Sequence, residues 1–203
     1  MRTSRILLLA GLMCLSMPLA AAADQTGLVL RYGVGYVFPS GDAEVDFLGS
    51  PATFEYESRI AFSLGCEYKF SSWFGLDSTL LYSNTDVDVE GRGLDEGGEG
   101  MFMPLFLGVN FHLTPNKKAD FFVGPMAAYV IYDNVEFDDV VENIRSGFGY
   151  GANIGVGLPL IEDAWVFDAE VKYVATKAKS DEPDGSDVDV NPWIIQLSAG
   201  YRF

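Results

Sequence analysis

A period of two between residues 54 and 70 constrains this chain more than any other feature. The even positions include Phe54, Tyr56, Ile60, Phe62, Leu64, Tyr68 and Phe70, while the odd ones include Glu55, Glu57, Arg59, Glu67 and Lys69. Successive side chains of a strand point to opposite faces. Such a strand is oily on one face and charged or small on the other. The same alternation recurs over 28–38, 101–113, 148–158, 165–176 and 193–203, and more weakly over 76–83 and 121–132. The pattern predicts eight strands.

Hydrophobic residues make up 49% of the chain and aromatics 14%. Beyond the first residues, no apolar run reaches the ~18 residues of a membrane-spanning helix. Tilted strands of about 9–11 residues cross a bilayer, and closing them into a barrel satisfies the edge groups that lipid cannot. The expected fold is therefore all-β: an eight-stranded antiparallel up-and-down transmembrane β-barrel. The alternative is a water-soluble barrel with its oily face inward. Against it stand the charges interleaved on the second face and the aromatics at strand ends, where membrane barrels carry interface girdles. Connections 71–73, 114–119 and 159–163 are short, whereas 39–53, 84–100, 133–146 and 177–191 are long. Short turns belong in the periplasm and long loops outside, so both termini are expected to be periplasmic.

The N-terminus agrees with export. Arg2 and Arg5 precede an apolar stretch over 6–15, then Pro18 and the small residues Ala21, Ala22 and Ala23. That is the plan of a secretory signal peptide, giving a signal segment 1–23 and a barrel 24–203. Cleavage before Asp24 leaves 11 of the 13 basic residues against all 29 acidic ones, a formal charge of −18. No nucleic acid partner is expected at that charge. The expected location is the outer membrane of a Gram-negative-type bacterium, among its lipid and lipopolysaccharide.

The last strand opens Asn191-Pro192-Trp193 and ends Ser198-Ala199-Gly200-Tyr201-Arg202-Phe203. It resembles the closing strand of the OmpW family of small outer-membrane barrels. Met103-Pro104-Leu105 and Phe122-Val123-Gly124-Pro125 are similar to that family's fourth and fifth strands, and 151–174 to its sixth and seventh. The resemblance implies a hydrophobic channel that opens outside and leaves sideways into the bilayer. It also implies that the barrel-assembly machinery reads Phe203.

Eight strands enclose a space that side chains nearly fill, or that holds one small ligand. Following the strand directions divides that space. Arg31, Glu67, Lys69, Asp77, Asp168, Glu170 and Arg202 fall toward the periplasmic end. Buried charges must pair, so these are expected to form a salt-bridged plug. Val37, Phe102, Pro104, Phe106, Val130, Tyr132 and Ile194 fall toward the outer end and make a candidate apolar site for a small hydrophobic ligand. Glu55, Glu57 and Arg59 interrupt that apolar lining. Pro104 has no N–H for the ladder and should disturb it, which suits a lateral exit.

Other motifs carry less. His112, the single histidine, is read as a solvated or interface residue near the inner end of strand four, and no catalytic set assembles around it. The chain is expected not to be an enzyme and to use no cofactor or metal. The four long connections hold 19 acidic residues against Arg92, Arg145, Lys177 and Lys179. The acidic run 181–187 lacks the spacing of an EF-hand loop. A surface role for these loops, with no transport, is the alternative function.

Overall fold

The computed structural model describes residues 26–38, 40, 43–47, 50–56, 58–91, 94–115, 117–132, 135–137, 140–142, 144–160, 164–180 and 187–203. The signal segment with its cleavage site, Glu57 and Arg92 lie outside them, as does the side chain of Glu55.

Eight long strands build the barrel: β1 (Gly27–Phe38), β2 (Arg59–Ser71), β3 (Phe74–Gly91), β4 (Leu94–His112), β5 (Asp120–Tyr132), β6 (Gly147–Leu160), β7 (Trp165–Ser180) and β8 (Trp193–Arg202). Each pairs antiparallel with its neighbours in sequence. β8 returns to β1, from Val29 opposite Arg202 to Phe38 opposite Trp193, and closes the sheet. The closed eight-stranded meander expected from the alternation is what forms. No helix among the described residues is long and apolar enough to cross a membrane.

Two of the tight connections are set by side-chain hydrogen bonds. Thr114 Oγ1 donates to the Ala119 carbonyl at 2.8 Å and accepts from the Phe121 N–H at 2.9 Å, so one hydroxyl closes the turn between β4 and β5. A register shift between Lys69 and Ser71 ends β2, and the Trp73 N–H donates to Ser71 Oγ at 3.3 Å. These turns share one end of the barrel with Gly27 and Phe203. We call it the turn end, and the opposite one the loop end.

The loop end departs from expectation. Segment 84–100 is not a loop: β3 and β4 run on as a ribbon through Gly91 and Leu94. Val87 and Val89 alternate there with Asp86, Asp88 and Glu90, and β-branched residues at period two favour a strand even when the intervening ones are acidic. At about 3.4 Å per residue, the 18 residues of β3 span roughly 60 Å, far beyond the ~30 Å hydrocarbon layer. The expected second strand is also divided. Ser50–Tyr56 is a separate strand that pairs with the distal part of β3, from Ala52 opposite Gly91 to Tyr56 opposite Val87.

Outward side chains are oily. Phe148 is 82% exposed, Tyr150 76% and Leu64 66%. Aromatic pairs ring both ends: Phe70, Phe74 and Phe111 with Trp165, Tyr201 and Phe203 at the turn end, and Tyr36–Phe38 with Tyr129–Phe148 toward the loops. Such belts mark the two membrane interfaces.

Candidate lumen site

The lumen has two halves of opposite chemistry. Arg31 organises the turn half. Its Nη2 lies 2.6 Å from Glu67 Oε2, its Nη1 3.2 Å from Asp77 Oδ1 and its Nε 2.7 Å from Asp168 Oδ2. A planar guanidinium with five N–H donors is suited to three carboxylates at once. Lys69 Nζ lies 3.0 Å from Asp120 Oδ2, and Lys172 Nζ 2.7 Å from Glu170 Oε2. The wall gives way to this cluster. A Cβ at Gly75 would meet Glu67 Oε1 at 2.6 Å, and one at Gly157 would meet Asp168 Oδ1 at 2.7 Å.

Hydrogen bonds connect the ions across the barrel. The Asn110 amide donates to Glu67 Oε1 at 2.9 Å. The Asn153 amide donates to Asn110 Oδ1 at 2.9 Å and to Glu170 Oε1 at 2.8 Å. A cavity of about 10 Å³ remains at the mouth, bordered by Arg31, Lys69, His112, Asp120, Asp168 and Arg202. That is room for about one water. All seven residues expected at this end are therefore here: six in ion pairs, and Arg202 at the mouth.

His112 corrects the sequence reading. It is buried, with Nδ1 2.8 Å from Asp120 Oδ2 and 3.2 Å from Lys69 Nζ, and Nε2 3.0 Å from Glu67 Oε1. It is a member of the ionic layer, neither solvated nor an interface residue. Asn110, Asp120, Asn153 and Lys172 also belong to the layer and were not singled out. Their inward parity was the available signal: His112 and Asn110 share the face of Phe102 and Phe106, and Lys172 that of Asp168 and Glu170.

The loop half is mostly apolar, interrupted by the buried Ser83 and Thr176 and, as expected, by Arg59 opposite Val37. Val37, Phe102, Phe106, Val130, Tyr132 and Ile194 lie in one buried cluster with Ala61, Leu81, Met126, Ala128, Val174 and Val190. Pro104 is fully buried as well. The structure thus brings all seven expected lining residues to the inner face of one half. The rings of Phe102 and Tyr132 stand 5.9 Å apart.

The wall of this half is interrupted. Between β3 and β4, Leu80 pairs with Leu105 and Ser83 with Phe102, but the ladder skips Leu81 and Tyr82 opposite Pro104 and Met103. Proline donates nothing to a ladder. An open depression on the outer face, bordered by Arg59, Ile60 and Phe62 of β2 and by Tyr82, Ser83 and Asn84 of β3, lies on the β2 side of that stretch of β3. A second interruption falls at Pro125: β4 and β5 pair at Gly108–Met126 and at Phe111–Val123, not between.

The comparisons with known proteins agree with this geometry. The model of the outer membrane protein β-barrel domain family matches residues 7–203. Outer membrane protein W of Vibrio cholerae serotype O1 is 22% identical over 212 residues, covering 96% of this chain and 97% of the relative. The crystal structure of OprG from Pseudomonas aeruginosa superposes with a TM-score of 0.77 at 20% identity, covering 89% of this chain and 97% of that one. The solid-state NMR structure of AlkL in DMPC bilayers gives 0.68 at 17% identity, covering 93% and 95%. The chain is similar to Outer membrane protein W over nearly its whole length, and it belongs to the outer membrane protein β-barrel domain family.

Proposed function

We propose that this barrel takes small hydrophobic molecules from outside the cell into the apolar half of its lumen and releases them sideways into the membrane. The loop end then faces outward and both termini face the periplasm, as the alternation of short and long connections suggests. The observation that carries the reading is the order of parts along the axis. An apolar lining and a gap in the ladder at Pro104 stand directly above a layer of paired ions. A greasy solute gains nothing by entering that layer, because displacing its partners would leave buried charges unpaired. The gap offers the shorter route to lipid. Phe203 would serve recognition by the barrel-assembly machinery, and the acidic rim would meet lipopolysaccharide through bridging divalent cations. The role is not enzymatic.

The test is uptake of a hydrophobic solute by cells whose outer membrane carries wild-type or altered barrel. Pro104→Val, which supplies an N–H and a β-branched side chain to the ladder, should slow uptake. Phe106→Arg, which places a charge in the apolar half, should abolish it. Uptake indifferent to both substitutions contradicts the reading.

A second reading has its own support. Phe106 is 1% exposed, and Val130 and Ile194 are 0%, the burial of a filled interior. In that reading the barrel carries acidic loops for contact with a host surface, a phage or lipopolysaccharide, and moves nothing. Uptake that does not depend on the barrel favours it.

A further inference from the structure

Lys172 sits where the two halves meet. Its ammonium has Glu170 on the ionic side at 2.7 Å and the Phe106 ring on the apolar side, 5.9 Å from the centroid. The residue is 1% exposed or less, among the most deeply buried of the molecule. An ammonium has three N–H donors; Glu170 pairs with it directly, and the Asp77 carboxylate faces it from β3. Buried donors are ordinarily satisfied, and an under-coordinated buried charge is costly. In the ionic layer, Arg31 reaches three carboxylates. Lys172 is a cation held at the floor of an apolar compartment, with carboxylates on its ionic side and the Phe106 ring on the other.

The adjoining strand carries a buried polar group of the opposite kind, an amide whose acceptor is unmet. Gln196 is buried, and among the described residues its Oε1 has no hydrogen-bond partner. On β8 it stands opposite Glu170, while Lys172 stands opposite Ile194. Lys172 and Gln196 are therefore diagonal neighbours on one inner face, roughly 7–8 Å apart. Turning the Gln196 amide about its last bond presents N–H where the oxygen now lies. Above them rise Phe106, Val174 and Ile194, all apolar and buried.

We propose that Lys172, assisted by Gln196, anchors the carboxylate head of an amphiphile whose apolar tail occupies the loop half of the lumen. The substrate class is then not hydrocarbon alone but aliphatic carboxylic acids. A carboxylate is flat and small enough for an eight-stranded lumen, and its two oxygens accept from two N–H donors together. The tail and head have separate environments ready: the wall of β4 and β5 for the one, and the floor of β7 and β8 for the other. This inference rests on the uptake reading above and names what is taken up.

The experiment compares uptake of radiolabelled decanoate and 1-decanol by cells carrying full-length barrel, normalised to folded barrel in the outer membrane. The variants are Lys172→Arg and the double change Lys172→Met with Glu170→Gln, which removes the cation without stranding its carboxylate. The ratio of decanoate to decanol uptake should fall about tenfold in the double variant, the worth of one charge-assisted hydrogen bond. It should be largely kept in Lys172→Arg. An unchanged ratio in the double variant, with decanol uptake still dependent on the barrel, overturns the anchor alone. Uptake of both compounds that ignores the barrel overturns the anchor together with the reading beneath it.

Discussion

The two halves of the lumen are buried alike but held by different forces. In the turn half, Arg31, Glu67 and Asp168 are 8%, 0% and 2% exposed; in the loop half, Phe106, Val130 and Ile194 are 1%, 0% and 0%. Charges interact through fixed partners and specific angles, so removing one leaves several others unsatisfied. Apolar side chains interact through area and close packing, so trimming one leaves a local void and little else. The turn half is thus suited to be a fixed seal. The loop half is suited to yield, since its contacts are non-directional and re-form after displacement.

Stability measurements can break this comparison. The largest loss is expected for Arg31→Met, which takes the shared cation from Glu67, Asp77 and Asp168 at once. Urea unfolding in lipid vesicles should show a loss of about 3–5 kcal/mol. A small loss would mean that water already enters the layer and solvates the carboxylates. His112→Leu should cost less, about 1–3 kcal/mol, because Glu67 and Asp120 keep Arg31 and Lys69 as partners. The smallest effect is expected in the other half: Ile194→Val removes one methylene and should cost about 0.5–1.5 kcal/mol in the same assay. Should Ile194→Val equal Arg31→Met, the two halves would not differ as described.

The fold was legible because a membrane barrel writes its pattern locally. Neighbouring residues alternate between lipid and lumen, and the parity that placed Arg31, Lys69 and Asp168 inside needs no knowledge of distant contacts. The site was legible only in part, because pairing is not local. His112 meets Glu67 across 45 positions of sequence and Asp120 across 8. A single histidine at a strand end gives no sign of either. Lys172 shares the parity of Asp168 and Glu170, yet its place between ions and Phe106 depends on the angle at which β7 crosses the barrel. The ribbon of β3 and β4 beyond residue 84 was hidden by composition. Acidic and glycine residues suggest a loop, and only the valines at 87 and 89 carry the strand. Pro104 announced its gap through a missing N–H. Pro125 carries the same chemistry, but the break it makes against Val109 emerged only from the register.

The central claim is that the loop half, and not the outer wall alone, receives apolar molecules. The most direct measurement is photolabelling of the barrel in lipid bilayers with an alkyl diazirine, followed by mass spectrometry to locate the labelled residues. The account predicts label on Phe102, Phe106, Tyr132 and Ile194, suppressed by excess unlabelled alkane and lost in Phe106→Arg. Label confined to outward residues such as Leu64, Phe148 and Tyr150, insensitive to competitor, would contradict it.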